Sequence, residues 1–286
     1  MGLGNQFRTI LLLGLLTALM LWIGSLFGAV GFYIALAMVL LFNIGSYWFS
    51  DKLVLAMYKA KEILPEQNHK LYAMVKDVAM RANLPTPKVY VIPSQSANAF
   101  ATGRNPKHAA VAATEGIMHL LSDDELKGVI AHEMAHVKNR DILIATIAGT
   151  IAGVISYVAS MAQWAAIFGG FGGRDNDEGG NFISLLALAI ITPIIAMIIQ
   201  MAISRQREYL ADETGARIIK NSHGLAAALE KLERDAKVHP MRMGSSATAH
   251  LFITNPFRGR GAALMNFFST HPPMHERIRR LRNLAI

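Results

Sequence analysis

Two histidines four residues apart, with a glutamate directly after the first, form the segment His132-Glu-Met-Ala-His136. On a helix, positions i and i+4 share one face, so the two imidazoles can grip a single zinc ion from the same side. Glu133 is then placed to take a proton from the attacking water, which is what hydrolysis of a peptide bond requires. A catalytic zinc site takes three protein ligands and leaves a further position open. The chain has no cysteine, so the third ligand must be His, Asp or Glu, and a disulfide framework is excluded. Residues 205–212, Arg-Gln-Arg-Glu-Tyr-Leu-Ala-Asp, offer Glu208 and Asp212 at i,i+4 spacing. Glu208 suits the metal, and Asp212 suits the hydrogen bond that orients a ligand histidine. The bland alternative is a solvated face on which both acids pair with Arg205, Arg207 or Arg217.

The elements around these residues can be read from periodicity and breakers. Ser122-Asp-Asp-Glu125 is an N-cap signature, with Ser122 as cap and Glu125 at the third helical position. The helix it opens runs through the histidine motif to Arg140 and can continue into a membrane span. Before it, residues 88–92, 98–102 and 109–114 are short β-branched or small-residue runs separated by Ser, Gly, Asn and Pro, a small sheet. Residues 51–83 read as helices, as do 205–220, 224–237 and the basic segment 273–284; residues 239–256 read as a loop.

Hydrophobic residues make up 52% of the 286 and charged residues 17%, a balance that points to a membrane protein. The net charge of +8 is not gathered into a basic stripe interleaved with aromatics, so no nucleic-acid partner is expected. No charged residue occurs between residues 9 and 50, room for two spans of about 20 residues with a break near 28–31. The apolar run continues past the length of a signal peptide, which argues for its retention. Residues 142–173 and 179–204 form a second uncharged pair around a glycine-rich, acidic loop; buried core helices are the alternative there. Arg8, Lys52, Lys59, Lys61, Lys138, Arg140, Arg205 and Arg207 flank one side, which places both termini and the histidine motif in the cytoplasm. The expected fold is a mainly α membrane protein, with four transmembrane helices and a cytoplasmic zincin-like α+β catalytic domain carrying a small sheet. Its parts are an N-terminal hairpin (1–50), a catalytic part with the sheet and motif helix (51–141), a second hairpin (142–204), and a catalytic part with the third ligand and the basic C-terminal helix (205–286).

His132-Glu-Met-Ala-His136, then Glu208-Tyr-Leu-Ala-Asp212 and Thr270-His-Pro-Pro273, together resemble the membrane-integral zinc peptidases of the HtpX heat-shock protease type. The CAAX prenyl endopeptidases are more distant relatives. Asn98-Ala-Phe-Ala-Thr-Gly103 also resembles a segment of that family, and the likeness spans nearly the whole chain. The resemblance implies one zinc ion held by His132, His136 and Glu208, with Glu133 as catalytic base. It implies that Asn98, Ala99, Phe100, Ala101, Thr102 and Gly103 form an edge strand along which an extended substrate lies; an internal strand is the alternative. It further implies that His271 and Arg277 help stabilise the oxyanion, although Arg277 could instead belong to a basic surface with Arg279, Arg280 and Arg282. His275 sits one turn from His271 and matches no motif position.

The resulting expectation is a multi-pass zinc endopeptidase of the bacterial cytoplasmic (inner) membrane. Its partners would be the lipid bilayer and unfolded or damaged membrane proteins in a stress response; oligomeric state is unread. Charges on both sides of the motif disfavour a site deep in the bilayer. A non-enzymatic membrane adaptor with structural zinc is the rival from another class, but it would have no use for Glu133.

Overall fold

The structure is a computed structural model that describes residues 28–67, 69–141, 205–238 and 272–286, with isolated helical positions before residue 28. The expected second hairpin (142–204), the polar stretch 239–256, His271 and most of the first expected span lie outside the described residues. Over the described residues, no helix is long and apolar enough to cross a membrane.

The described chain is mainly helical with one small mixed sheet. Helix α1 (Gly28–Met57) opens at Gly28 with a φ of 74°, a left-handed value that glycine adopts without strain. After it come β1 (Lys61–Ile63), a 3-10 turn (Pro65–Gln67), α2 (Lys70–Ala82), β2 (Lys88–Ile92), β3 (Ala99–Gly103) and β4 (Ala109–Thr114). The helices α3 (Glu115–Leu120) and α4 (Asp123–Asn139) follow directly. Beyond the second expected hairpin lie α5 (Arg205–Ile219), α6 (His223–Val238) and α7 (Met274–Arg282).

Strand order is β1-β2-β4-β3. Strands β2 and β4 are parallel, while β1 and β3 add antiparallel at the two edges. One face carries Val89, Ala99, Ala101, Val111 and Ala113, which pack into a core with α2, α4 and α6. The other face carries Ile92, Phe100, Ala110 and Ala112, which pack under Val54, Leu55 and Tyr58 at the end of α1. The sheet is therefore covered on both sides, and all five residues of β3 are buried despite its edge position.

Two helical expectations are corrected. Residues 51–83 contain β1 as well as helices, because Lys61, Glu62 and Ile63 pair antiparallel with Val91, Tyr90 and Val89 of β2; Glu62 adds exposed side-chain contacts to Lys88 at 3.0 Å and to the Tyr90 hydroxyl at 3.1 Å. Helix α4 does not run on past Arg140, which takes a left-handed φ of 61° and closes the last turn. The start of α4 agrees with its reading: the Ser122 N–H donates to the Glu125 carboxylate at 2.7 Å, one half of a capping box.

Candidate metal centre and active site

Helix α4 is the axis of the site and is buried without a break from Gly128 to Ala135. Its capping and its apolar surroundings fix the helix, and the helical period then turns His132 and His136 to one side. Helix α5 crosses it closely. A Cβ at Gly215 would lie 2.8 Å from the His132 backbone nitrogen, so only glycine allows this approach. Glu208 and Asp212 share the Gly215 face of α5 by i,i+4,i+7 spacing, and the crossing delivers both to the histidines. Both acids are buried, at 4% and 3% exposure, while Arg217 pairs with Glu213, so the solvated-face alternative does not describe them.

His132 Nε2 and His136 Nε2 are 3.2 Å apart. Glu208 places Oε1 at 3.5 Å from His136 Nε2 and Oε2 at 3.8 Å from His132 Nε2. Ligand atoms bound tetrahedrally to zinc at about 2.0–2.2 Å lie about 3.3–3.6 Å from one another. The three groups, whose ligand atoms lie within 4.8 Å of one another, thus already have the spacing a small divalent ion needs. The opposite ring nitrogens face carboxylates: His132 Nδ1 is 2.9 Å from Asp212 Oδ1, and His136 Nδ1 is 3.4 Å from Asp141 Oδ2. Such outer carboxylates fix the tautomer and orientation of metal-binding imidazoles.

Glu133 is buried and accepts a hydrogen bond from the Ala101 N–H of β3 at 2.8 Å. Burial pushes its carboxyl above the usual range, against the opposing charges of His132 and His136. A carboxyl shifted this way is better matched to proton transfer near neutral pH. The His136 imidazole is held at about 9 in the metal-free chain: burial lowers it, and the Asp141 hydrogen bond and the Glu208 charge outweigh that.

Arg277 is fully buried, whereas Arg279, Arg280 and Arg282 are exposed, so the basic-surface alternative fails for this one arginine. Its Nε and Nη2 donate to the two oxygens of Asp212 at 2.8 and 2.7 Å. Its Nη1 lies 3.4 Å from Glu208 Oε2, and Nη2 lies 3.4 Å from His132 Nε2. Burial raises the Asp212 carboxyl, but the Arg277 charge and hydrogen bonds hold it below the usual range. Asn98, Ala99, Phe100, Ala101, Thr102 and Gly103 lie along the sheet edge, with the Ala101 N–H turned away from β4 and toward the motif helix. Two features escaped the sequence reading. Asp141 lies past the helix end, and the inward face of Arg277 was signalled only by Met274, Ile278 and Leu281 around it.

The profile of peptidase family M48 matches residues 65–285. The chain belongs to peptidase family M48. It is 56% identical over 283 residues to a "Protease HtpX homolog" of Syntrophotalea carbinolica, covering 99% of each chain. A relative of the same name from Thermococcus kodakarensis is 53% identical over 286 residues, covering 100% of this chain and 98% of that one. Among solved structures, the crystal structure of S. mikatae Ste24p aligns with a TM-score of 0.51 and 17% identity, covering 98% of this chain and 66% of that one. That likeness shows a shared fold. As an M48 member the chain is a metalloprotease, which sets aside the non-enzymatic adaptor.

Proposed function

We propose that this M48 protease is a zinc endopeptidase of the cytoplasmic membrane that cuts unfolded or damaged membrane proteins on the cytoplasmic side. The observation that carries the reading is the convergence of His132, His136 and Glu208 beside the buried carboxyl of Glu133. Zinc, when bound, would polarise the scissile carbonyl and acidify the attacking water. Glu133 accepts the water proton and passes it to the leaving amine. The Ala101 N–H orients Glu133, which supports the reading of β3 as the strand beside the scissile bond, where an extended peptide pairs through its main chain and many sequences are accepted. Arg277 balances Asp212 and Glu208, and together with His271, from the segment before α7, it helps stabilise the oxyanion.

Membrane placement is supported by the uncharged runs at 9–50, 142–173 and 179–204, and by α1, which leaves Tyr33, Ile34, Leu41, Trp48 and Phe49 exposed. The cytoplasmic orientation follows from the basic residues flanking those runs. The test is cleavage of casein and of an unfolded membrane protein by the detergent-solubilised chain, with and without a zinc chelator. Chelator-sensitive cleavage of both, faster for the membrane protein at the lipid surface, is expected. Cleavage indifferent to chelator would contradict the zinc reading.

A further inference from the structure

Asp141 stands five residues after His136, beyond the end of α4, yet it is buried at 6% exposure and its Oδ2 lies 3.4 Å from His136 Nδ1. In a continuing helix, position i+5 would lie about 140° around the axis and face away from that ring. The backbone removes the conflict. Arg140 adopts the left-handed conformation, its N–H donates to the Val137 carbonyl at 3.2 Å, and the Asp141 N–H donates to the His136 carbonyl at 3.0 Å. The same left-handed conformation closes helices at Lys59, Asn83 and Lys220, so it is this chain's ordinary helix stop; what sets Arg140 apart is where the stop sends the next residue. It folds Asp141 back against the last histidine.

The two motif histidines thus share one arrangement, each with Nε2 toward the common centre and Nδ1 toward a carboxylate. Asp212 is gripped by the Arg277 fork, and the His132 it faces is almost sealed, with a side chain 2% exposed. The His136 side chain is 17% exposed, so its ring has less packing to define it. We propose that Asp141 is a positioning residue that holds His136 in the tautomer and orientation presenting Nε2 to the metal. This rests on the metal-site reading above.

The test titrates cobalt(II) into the metal-free full chain in detergent, for wild type, Asp141→Asn and Asp141→Ala, reading affinity and the visible d–d bands. Wild type should bind one cobalt. Affinity should fall about 10- to 100-fold in Asp141→Ala and less in Asp141→Asn, whose amide oxygen still accepts a hydrogen bond. The bands should shift in both variants, with thermal unfolding of the metal-free chains unchanged. Equal affinity and identical bands in all three would overturn the proposal while leaving the metal site intact. Loss of the metal-free fold in Asp141→Asn, a nearly isosteric change, would also overturn it by placing the carboxylate in the fold instead. A wild type that takes up no cobalt would remove the metal site and this inference together.

Discussion

Arg277 sits at the point where the ligand chemistry meets the core: a fully buried guanidinium against the carboxylates of Asp212 and Glu208. Truncating one partner of a buried ion pair leaves the other charge uncompensated, which typically costs about 3–5 kcal/mol. Arg277→Ala should therefore lose stability of that order in the metal-free chain, measured by chemical denaturation in detergent. Arg277→Lys should lose less, because it keeps the charge but not the two-pronged geometry. A stability unchanged in both would contradict this account of Arg277. The metal ligands were legible in the sequence because their chemistry is a spacing: two histidines at i,i+4 and an acid on a second helix. Arg277 was singled out only by the family resemblance, and its pairing with Asp212 was not legible, because α7 carries four arginines in nine residues and only the interleaved Met274, Ile278 and Leu281 tell which one points inward. Asp141 was hidden for a different reason. It acts through a left-handed turn at an arginine, where no glycine announces the stop.

Two elements, α4 and α5, make the site by crossing at Gly215. A methyl group there would meet the His132 and Ala131 backbone at 2.8 to 3.0 Å, which neither helix can yield by rotating a side chain. Gly215→Ala should destabilise by about 1–3 kcal/mol and weaken zinc binding by spreading Glu208 from the histidines. Isothermal titration beside thermal unfolding would check both, and an unaltered zinc affinity would count against the crossing as the source of the geometry. The start of α4 has its own control. Burial raises the Glu125 carboxyl, but Lys231 at 2.7 Å and the Ser122 N–H more than offset this and hold it below its usual range. A carboxyl lowered in the folded state stabilises above its unfolded value, and that stability is lost as pH falls through the folded one. Glu125→Gln should thus be less stable than wild type at pH 7 by about 1 kcal/mol, with the difference closing below pH of about 4. A difference independent of pH would contradict it. Strands β2, β3 and β4 could be read within a residue from their β-branched or small runs and bounding Pro, Ser and Gly. The three-residue β1 is too short to show any period, and only its partner strand defines it.

At the scale of the whole molecule, α1 joins the catalytic fold to the apolar N-terminal part, since Val54 and Leu55 of its last turns and Tyr58 just after it are buried on the outer face of the sheet. Its earlier turns leave large apolar side chains exposed. This is the arrangement expected if the catalytic part is seated on a bilayer through a helix that enters it. The hydropathy of the sequence carries the expectation of four spans, and the basic flanks carry the orientation; the described fold bears on the seating alone. Because the chain has no cysteine, single introduced cysteines report topology without background. In intact cells, an impermeant maleimide should label Asn176→Cys in the acidic loop and leave Lys220→Cys untouched until the membrane is opened. The reverse pattern would invert the orientation and place the site outside the cytoplasm.

In the proposed reaction, Glu133 performs proton transfer beside a metal it does not ligate. The measurement that meets it most directly is peptide cleavage together with zinc content for Glu133→Gln against wild type. The account predicts one zinc in each and cleavage reduced by several orders of magnitude in the variant. Retained cleavage, or loss of zinc together with activity, would contradict it.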